Sequence, residues 1–407
     1  MAATAVAVVF CALRVLVAGH GQVGALVLAG SAHVSPTRYT RSLPIVNGAG
    51  YDGQFYYRLA LGPLDWSPSA FGIHLDTLGR LDRVAYPALA WAAAAGRASA
   101  VPVALLAVNV VALGALAGLA GALAREAGRQ PLSGLLVAGF FGLLWSLSRD
   151  LTELTEAVFV VAALLAVRKG RPVLAGLLLS VAVLAREPAL VLVGALFVAR
   201  AWAWAHPGGA QGDKGQPGAA RPRTPGPPTP GLTTPGPTVR RPAPSRAPGR
   251  PDATWVLPTL TFAGWQLALH ARTGTFPALT SGHNNAGAPF VGLAAGLTHY
   301  LERLPRVASL LWAGELGVLA VVATLAAISL SKSTAALHER IAWAAGVVLA
   351  VLLVRGVWLG DVGFRSLDDL WVFSSVLVLF SRLRLGLAAW LAAAGWCVVA
   401  IELVVFI

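Results

Sequence analysis

The chain has 407 residues, of which 57% are hydrophobic and only 12% charged, with a mean hydropathy of +0.70. A soluble protein of this length needs far more polar surface, so the composition excludes an ordinary water-soluble fold. The net charge of +13 does not point to nucleic acid, because seven Lys and Arg residues sit in one proline-rich segment and many others punctuate apolar runs.

Taken in chain order, apolar runs of roughly bilayer length fall near 4–29, 101–124, 131–148, 156–167, 172–185, 188–205, 254–271, 308–330, 341–359, 370–381 and 386–406. The expected fold is an all-α polytopic membrane protein of about 11 transmembrane helices (10–12), with a large first outer loop over 30–100. The alanine-rich stretch 86–96 is too short to span and is expected on the membrane surface or as a re-entrant piece. The N-terminal run has no charged leader region and reads as a retained first helix. Cys11 and Cys397 lie far apart in apolar runs and read as buried, inert thiols.

With the N-terminus inside, the basic clusters Arg125/Arg129, Arg168/Lys169/Arg171, Lys332/Arg340 and Arg382/Arg384 all fall on the cytoplasmic side, as the positive-inside rule requires. Most carboxylates then fall outside. Residues 206–252 are rich in Pro, Gly, Thr and Arg and cannot bury a core. They read as a disordered, basic cytoplasmic linker in contact with solvent or anionic headgroups, dividing a membrane module at 1–205 from another at 253–407. No long-period repeat suggests the inverted halves of a transporter.

Chemistry is expected on the outer side. Asp52, in Tyr51-Asp52-Gly53-Gln54-Phe55-Tyr56-Tyr57-Arg58, lies where the chain leaves its first apolar run, and Gly53 permits close backbone approach. A carboxylate there can act as general base on a sugar hydroxyl. The neighbouring aromatic rings either stack on a sugar or belong to the interfacial belt. Arg80, Asp82 and Arg83 form a second cluster, able to bind a phosphate or simply to start a helix with snorkelling arginines. Asp150, Glu153 and Glu156 are spaced by three and would share a helical face. Helix capping accounts for Glu156, whereas Glu153 is a site candidate. Arg186-Glu187-Pro188 interrupts an apolar stretch, and Arg186 is expected to pair with a phosphate or an outer carboxylate such as Glu153. His74 and Asp76 leave room for a divalent metal but do not establish one. No Walker A loop, dinucleotide fingerprint, His-Glu-x-x-His or Gly-x-Ser-x-Gly occurs. Without a nucleotide-phosphate loop, a donor already carried by lipid fits better than a nucleotide sugar.

Asp52-Gly53-Gln54-Phe55-Tyr56 resembles the Trp-Asp-Gly-x-x-Tyr element of GT-C membrane glycosyltransferases, with Tyr51 in place of the tryptophan. The likeness is to bacterial relatives of the mannosyltransferase that adds the second mannose in GPI-anchor assembly. Tyr86-Pro87-Ala88-Leu89, Thr152-Glu153 and Ala185-Arg186-Glu187-Pro188 match further elements, over roughly residues 1–200. The resemblance implies an inverting transferase with Asp52 as catalytic base and a polyprenyl-phosphate sugar as donor. A glycan or lipid would be the acceptor, with the active face outside a bacterial plasma membrane. Tyr51, Gln54, Tyr56, Arg58, Arg80, Asp82, Glu153, Arg186 and Arg365 are the candidate substrate contacts. The competing readings are a flippase for a polyprenyl-linked sugar or similar lipid, and a scaffold recruiting partners through the linker.

Overall fold

The computed structural model describes residues 2–206, 252–281, 285–359 and 363–405. The proline-rich linker, apart from its end residues His206 and Asp252, lies outside the described residues, as do His283, Asn284 and Asp361. Within them the chain is mainly helical, with only two two-residue strand pairs, both in the first loop.

Helix α1 (Ala2–Val17) is built from Ala, Val and Leu but is shorter than the expected 4–29 span. It ends because His20 (φ 48°) and Gly21 (φ 81°) take left-handed conformations that no α-helix can continue. The chain then folds the first loop through a parallel pairing of Ala29–Gly30 with Ile45–Val46, followed by α2 (Gly53–Leu61). A second, antiparallel pair joins Ser69–Ala70 to Ile73–His74. A 3-10 turn at Leu78–Asp82 follows, its start held by Thr77, whose hydroxyl accepts from the Gly79 amide. Helix α3 (Ala85–Ala93) is short, as its length in sequence suggests, and leads to α4 (Val101–Glu126), which has Pro102 in its first turn.

The run 131–148 is not one straight helix. It is a 3-10 turn with α5 (Leu135–Ala138) and then α6 (Gly142–Arg149), bent by 68°. At the break Phe140 stacks on Trp371 at 5.2 Å, and Trp371 Nε1 donates to the Leu136 carbonyl at 2.8 Å, satisfying a backbone group that the bend exposes. Next come α7 (Glu153–Arg168), α8 (Pro172–Ala185), α9 (Leu190–Ala205), α10 (Ala253–Thr273), α11 (Pro277–Ser281), α12 (Val291–Leu301) and α13 (Val307–Ser329). Helix α12 was not expected from the sequence. Helices α14 (Leu337–Leu352) and α15 (Arg355–Leu359) replace a continuous 341–359 span. The carbonyls freed at that break accept from the loop before α12: Val351 from Phe290 N at 2.7 Å, and Leu352 from Gly287 N at 2.8 Å. Helices α16 (Asp368–Leu379) and α17 (Gly386–Val405) complete the described chain.

Among the described residues, three helices are long and apolar enough to cross a bilayer: Ala98–Glu126, Glu187–Ala205 and Val307–Ser329. The bent α5–α6 pair makes a fourth if it counts as one span. Helix α16 is short yet buried along nearly its whole length, wrapped by α13, α14 and α7. Helix α17 packs on α1, and α10 on α8, so the segments before and after the linker are interleaved. At one end of this body Arg168 bonds Glu339 (2.9 Å), and Arg129 and Arg340 donate to backbone carbonyls at helix ends. The other end holds the first loop and the charged cluster described next.

Candidate functional site

Asp52 stands immediately before α2 and is positioned by its neighbour. A Cβ on Gly53 would lie 2.3 Å from the Arg149 carbonyl oxygen and 2.8 Å from that of Val27, so only glycine lets α2 start against the end of α6. That contact carries Asp52 to the start of α7. Its Oδ1 meets Arg80 Nη2 at 2.9 Å and its Oδ2 meets Arg365 Nη2 at 2.6 Å. Arg80 comes from the 3-10 turn at Leu78–Asp82 and is gripped on its other side by Asp76 through two bonds of 2.9 and 2.8 Å. Arg365 comes from the turn before α16 and also reaches Glu153 Oε1 at 2.8 Å.

Glu153 continues the chain of charges inward. Its Oε2 accepts from Ser146 Oγ at 2.8 Å, and Arg186 Nε lies 3.9 Å from its Oε1. The Arg186 Nη1 atom meets Glu156 at 2.9 Å and Asp368 at 2.8 Å, all three side chains being buried. Alongside, Arg83 pairs with Glu187 at 3.2 Å and donates to the Tyr56 hydroxyl at 3.3 Å. Residues from α2, the 3-10 turn, α7, the α8–α9 turn and the start of α16 therefore converge at one end of the helical body. The outermost members keep a little access: Asp52 is 13% exposed, Arg365 14% and Arg80 16%. Arg186, at 6%, is more nearly closed off.

The electrostatics follow from this geometry. Burial alone would raise the Asp52 carboxyl, but Arg365 and Arg80 outweigh it and hold the group below the usual carboxylate range. Asp82 behaves in the opposite way: burial, reinforced by the nearby Glu187 charge, pushes it up to about 7 despite a 2.6 Å bond from Gln266 Nε2.

The structure divides the sequence candidates. Asp52, Arg80, Glu153, Arg186 and Arg365 come together, with Tyr56 beside them through Arg83 and Tyr51 beneath the guanidinium groups of Arg149 (4.5 Å) and Arg365 (5.2 Å). Gln54 instead is fully buried and sews the first loop together, accepting from Gly30 N at 3.0 Å and donating to Ala49 O at 2.7 Å. Arg58, also fully buried, donates to the carbonyls of Asp65 and Ser67 and braces the 62–68 loop. Asp82 faces Gln266 of α10. Phe55, Tyr56 and Tyr57 are at most 2% exposed, so they form neither an open sugar platform nor an interfacial belt. Asp150 does not share a helical face with Glu153 and Glu156: it ends α6 in a left-handed conformation (φ 51°), and α7 begins only at Glu153.

Glu156, Glu187, Asp76, Asp368 and Ser146 belong to the cluster although the sequence reading assigned them no substrate role. The spacing of Glu156 from Glu153 was the one signal available for it. Asp76 is committed to Arg80, and among the described residues no three of His, Cys, Asp and Glu converge as a metal site. No protein-family model, curated protein or solved structure matches the chain.

Proposed function

We propose that the protein is a GT-C-type membrane glycosyltransferase. It would move a sugar from a polyprenyl-phosphate donor to a glycan or lipid acceptor at the outer face of a bacterial plasma membrane, with about eleven spans. The observation that carries this reading is Asp52, a carboxylate with residual access, held between two arginines that also keep residual access.

The arrangement suits an anionic leaving group. Arg80 and Arg365 each have a second carboxylate partner, Asp76 and Glu153 respectively, and so stay anchored when one donor hydrogen turns toward a phosphate. While both face Asp52, they hold it too acidic to be a good base. A donor phosphate drawing them away raises its basicity when substrate is present. The acceptor oxygen then forms its bond to the anomeric carbon from the face opposite the phosphate. The acceptor proton passes to Asp52, and the sugar–phosphate C–O bond breaks with its electron pair leaving on polyprenyl phosphate, which the arginines stabilise. The product is inverted. Arg186, already surrounded by Glu153, Glu156 and Asp368, is a positioning residue in this scheme and not a phosphate contact.

An apolar groove of about 360 Å³ between α9 and α10 supports the lipid-borne donor. It runs from Leu190, three residues past Glu187, along Val193, Gly194 and Phe197 to Trp255. A prenyl tail is the ligand chemistry that fits such a wall.

The test is sugar transfer by the purified protein in nanodiscs, using radiolabelled polyprenyl-phosphate mannose, arabinose or glucose and a membrane extract as acceptor. Asp52→Asn is expected to lower turnover by roughly 10²–10⁴-fold, the usual contribution of a general base. Full transfer by a correctly inserted Asp52→Asn protein would sink the proposal.

A further inference from the structure

A cleft of about 780 Å³ opens between the 62–68 loop and the end of α10, lined among others by Asp65, Trp66, Ser67, Leu78, Arg272 and Thr273. Its volume lies in the range of pockets that hold small organic ligands. We propose that this cleft binds the acceptor, and that it selects a sugar unit carrying an anionic group. The proposal rests on the transferase reading and deepens it.

The walls carry what carbohydrate recognition needs: a flat aromatic face for the C–H side of a sugar ring, and fixed hydrogen-bonding groups at its edge. Trp66 is only partly buried, unlike Phe55, Tyr56 and Tyr57, and is held edge-on by Trp265 at 5.5 Å and 86°. Trp265 is itself anchored, its Nε1 donating to the Leu81 carbonyl at 3.0 Å. Asp65 is set by the Ser67 amide (3.1 Å) and hydroxyl, and its charge is balanced by the buried Arg58 at 3.8 Å. The loop is therefore built, with its polar groups in place before any ligand arrives.

Arg272 gives the cleft its sign. Its guanidinium lies 6.0 Å from the centre of the Trp66 ring, and among the described residues no carboxylate stands within 4.0 Å of it. With Asp65 compensated by Arg58, the cleft keeps one uncompensated cation above its aromatic platform. A neutral sugar needs no such group, whereas a phosphate or carboxylate beside the ring does. The cleft is also joined to the charged cluster. The 3-10 turn that walls it with Leu78 carries Arg80, two residues on, to Asp52.

The probes are glucose, glucose 6-phosphate and a dodecyl glucoside 6-phosphate embedded in the nanodisc. Saturation-transfer NMR measures their binding to wild type, Trp66→Ala, Trp66→Phe and Arg272→Gln, with each variant's melting temperature checked. Binding needs no turnover, so it decides the cleft even if no donor sugar is ever transferred. The expected result is that Trp66→Ala weakens the phosphorylated probe about tenfold or more and Trp66→Phe restores most of the loss. Arg272→Gln should weaken the phosphorylated probe at least tenfold while leaving glucose unchanged. Where transfer is measurable, the same variants raise the acceptor KM. Binding of the free phosphate sugar assigns a soluble acceptor, and binding of the lipid probe alone assigns a membrane-borne one. Equal affinity for glucose and its phosphate overturns the charge selection. Wild-type affinity in both Trp66→Ala and Arg272→Gln overturns the cleft itself.

Discussion

Arg186 is the keystone of the buried charges, and its removal has a calculable effect. Arg186→Ala strips Glu156 of its 2.9 Å partner and Asp368 of its 2.8 Å partner, while Glu153 keeps Arg365 and Ser146. Two carboxylates with side chains 1% and 3% exposed are then left facing each other without a cation. Breaking a buried pair from one side typically costs about 3–5 kcal/mol, because the stranded charge must be desolvated or protonated. For a chain of this size that corresponds to a fall in melting temperature on the order of 5 °C. Scanning fluorimetry in nanodiscs measures it, and a compensated variant (Arg186→Met, Glu156→Gln, Asp368→Asn) should recover most of the loss. An Arg186→Ala protein that melts with wild type would refute the reasoning, because the two orphaned carboxylates would then have another source of compensation.

Three further outcomes are expected. Gly53→Ala should lower stability by about 1–3 kcal/mol and reduce transfer at least tenfold, since its Cβ meets the Arg149 and Val27 carbonyls and pushes Asp52 off its arginines; thermal melting and turnover together check it. Asp82, pushed up to about 7, keeps its proton in the folded chain across a range where the unfolded chain has lost it. Its contribution is present below about pH 4 and is lost as the pH rises toward and through 7, so Asp82→Asn should match wild type only near pH 3. At pH 8.5 the variant should be the more stable, by on the order of 4 kcal/mol at most; parallel melting curves across pH decide. Finally, reconstituted protein should not accelerate transbilayer movement of a fluorescent polyprenyl phosphate above protein-free vesicles, and a clear acceleration would favour the flippase reading.

Much of the cluster was legible because its members interrupt apolar sequence. Glu153 and Arg186 each stand where a hydrophobic run is interrupted, where a charge is costly unless something is made of it, and Asp52 stands in a dense polar-aromatic stretch of the first loop. What could not be read was pairing. Asp52 and Arg365 are 313 residues apart, and no local spacing announces their bond. Burial was equally hidden: Gln54 and Arg58 share a helix with the motif and are as polar as its true members, yet they bond to loop carbonyls and amides. Helix breaks were invisible for a different reason. The run through Gly139, Phe140 and Phe141 is apolar throughout, and the bend there depends on Trp371, far away in the chain, accepting the role of hydrogen-bond partner to a stranded carbonyl. The early end of α1 had a visible sign in His20-Gly21, outvoted by the hydrophobicity on either side.

The placement of charge also bears on the choice between transfer and transport. Carrying a phosphate across a bilayer requires compensating groups along the whole path, since an unpaired ion in hydrocarbon is expensive. Here the arginines gather at two ends. Arg14, the one basic residue that hydropathy placed deep in a span, lies a single turn from the end of α1 and donates to the Leu403 carbonyl near the end of α17. At the opposite end Arg129 and Arg340 are occupied by carbonyls and Arg168 by Glu339, so those cations are already engaged. Among the described residues, an anion arriving from the cluster around Asp52 meets no second arginine site of comparable openness further in. On the proposed transferase reading these charges would hold a lipid phosphate at one surface, beside a carboxylate able to take a proton, and their gathering there favours chemistry at the surface over passage through it.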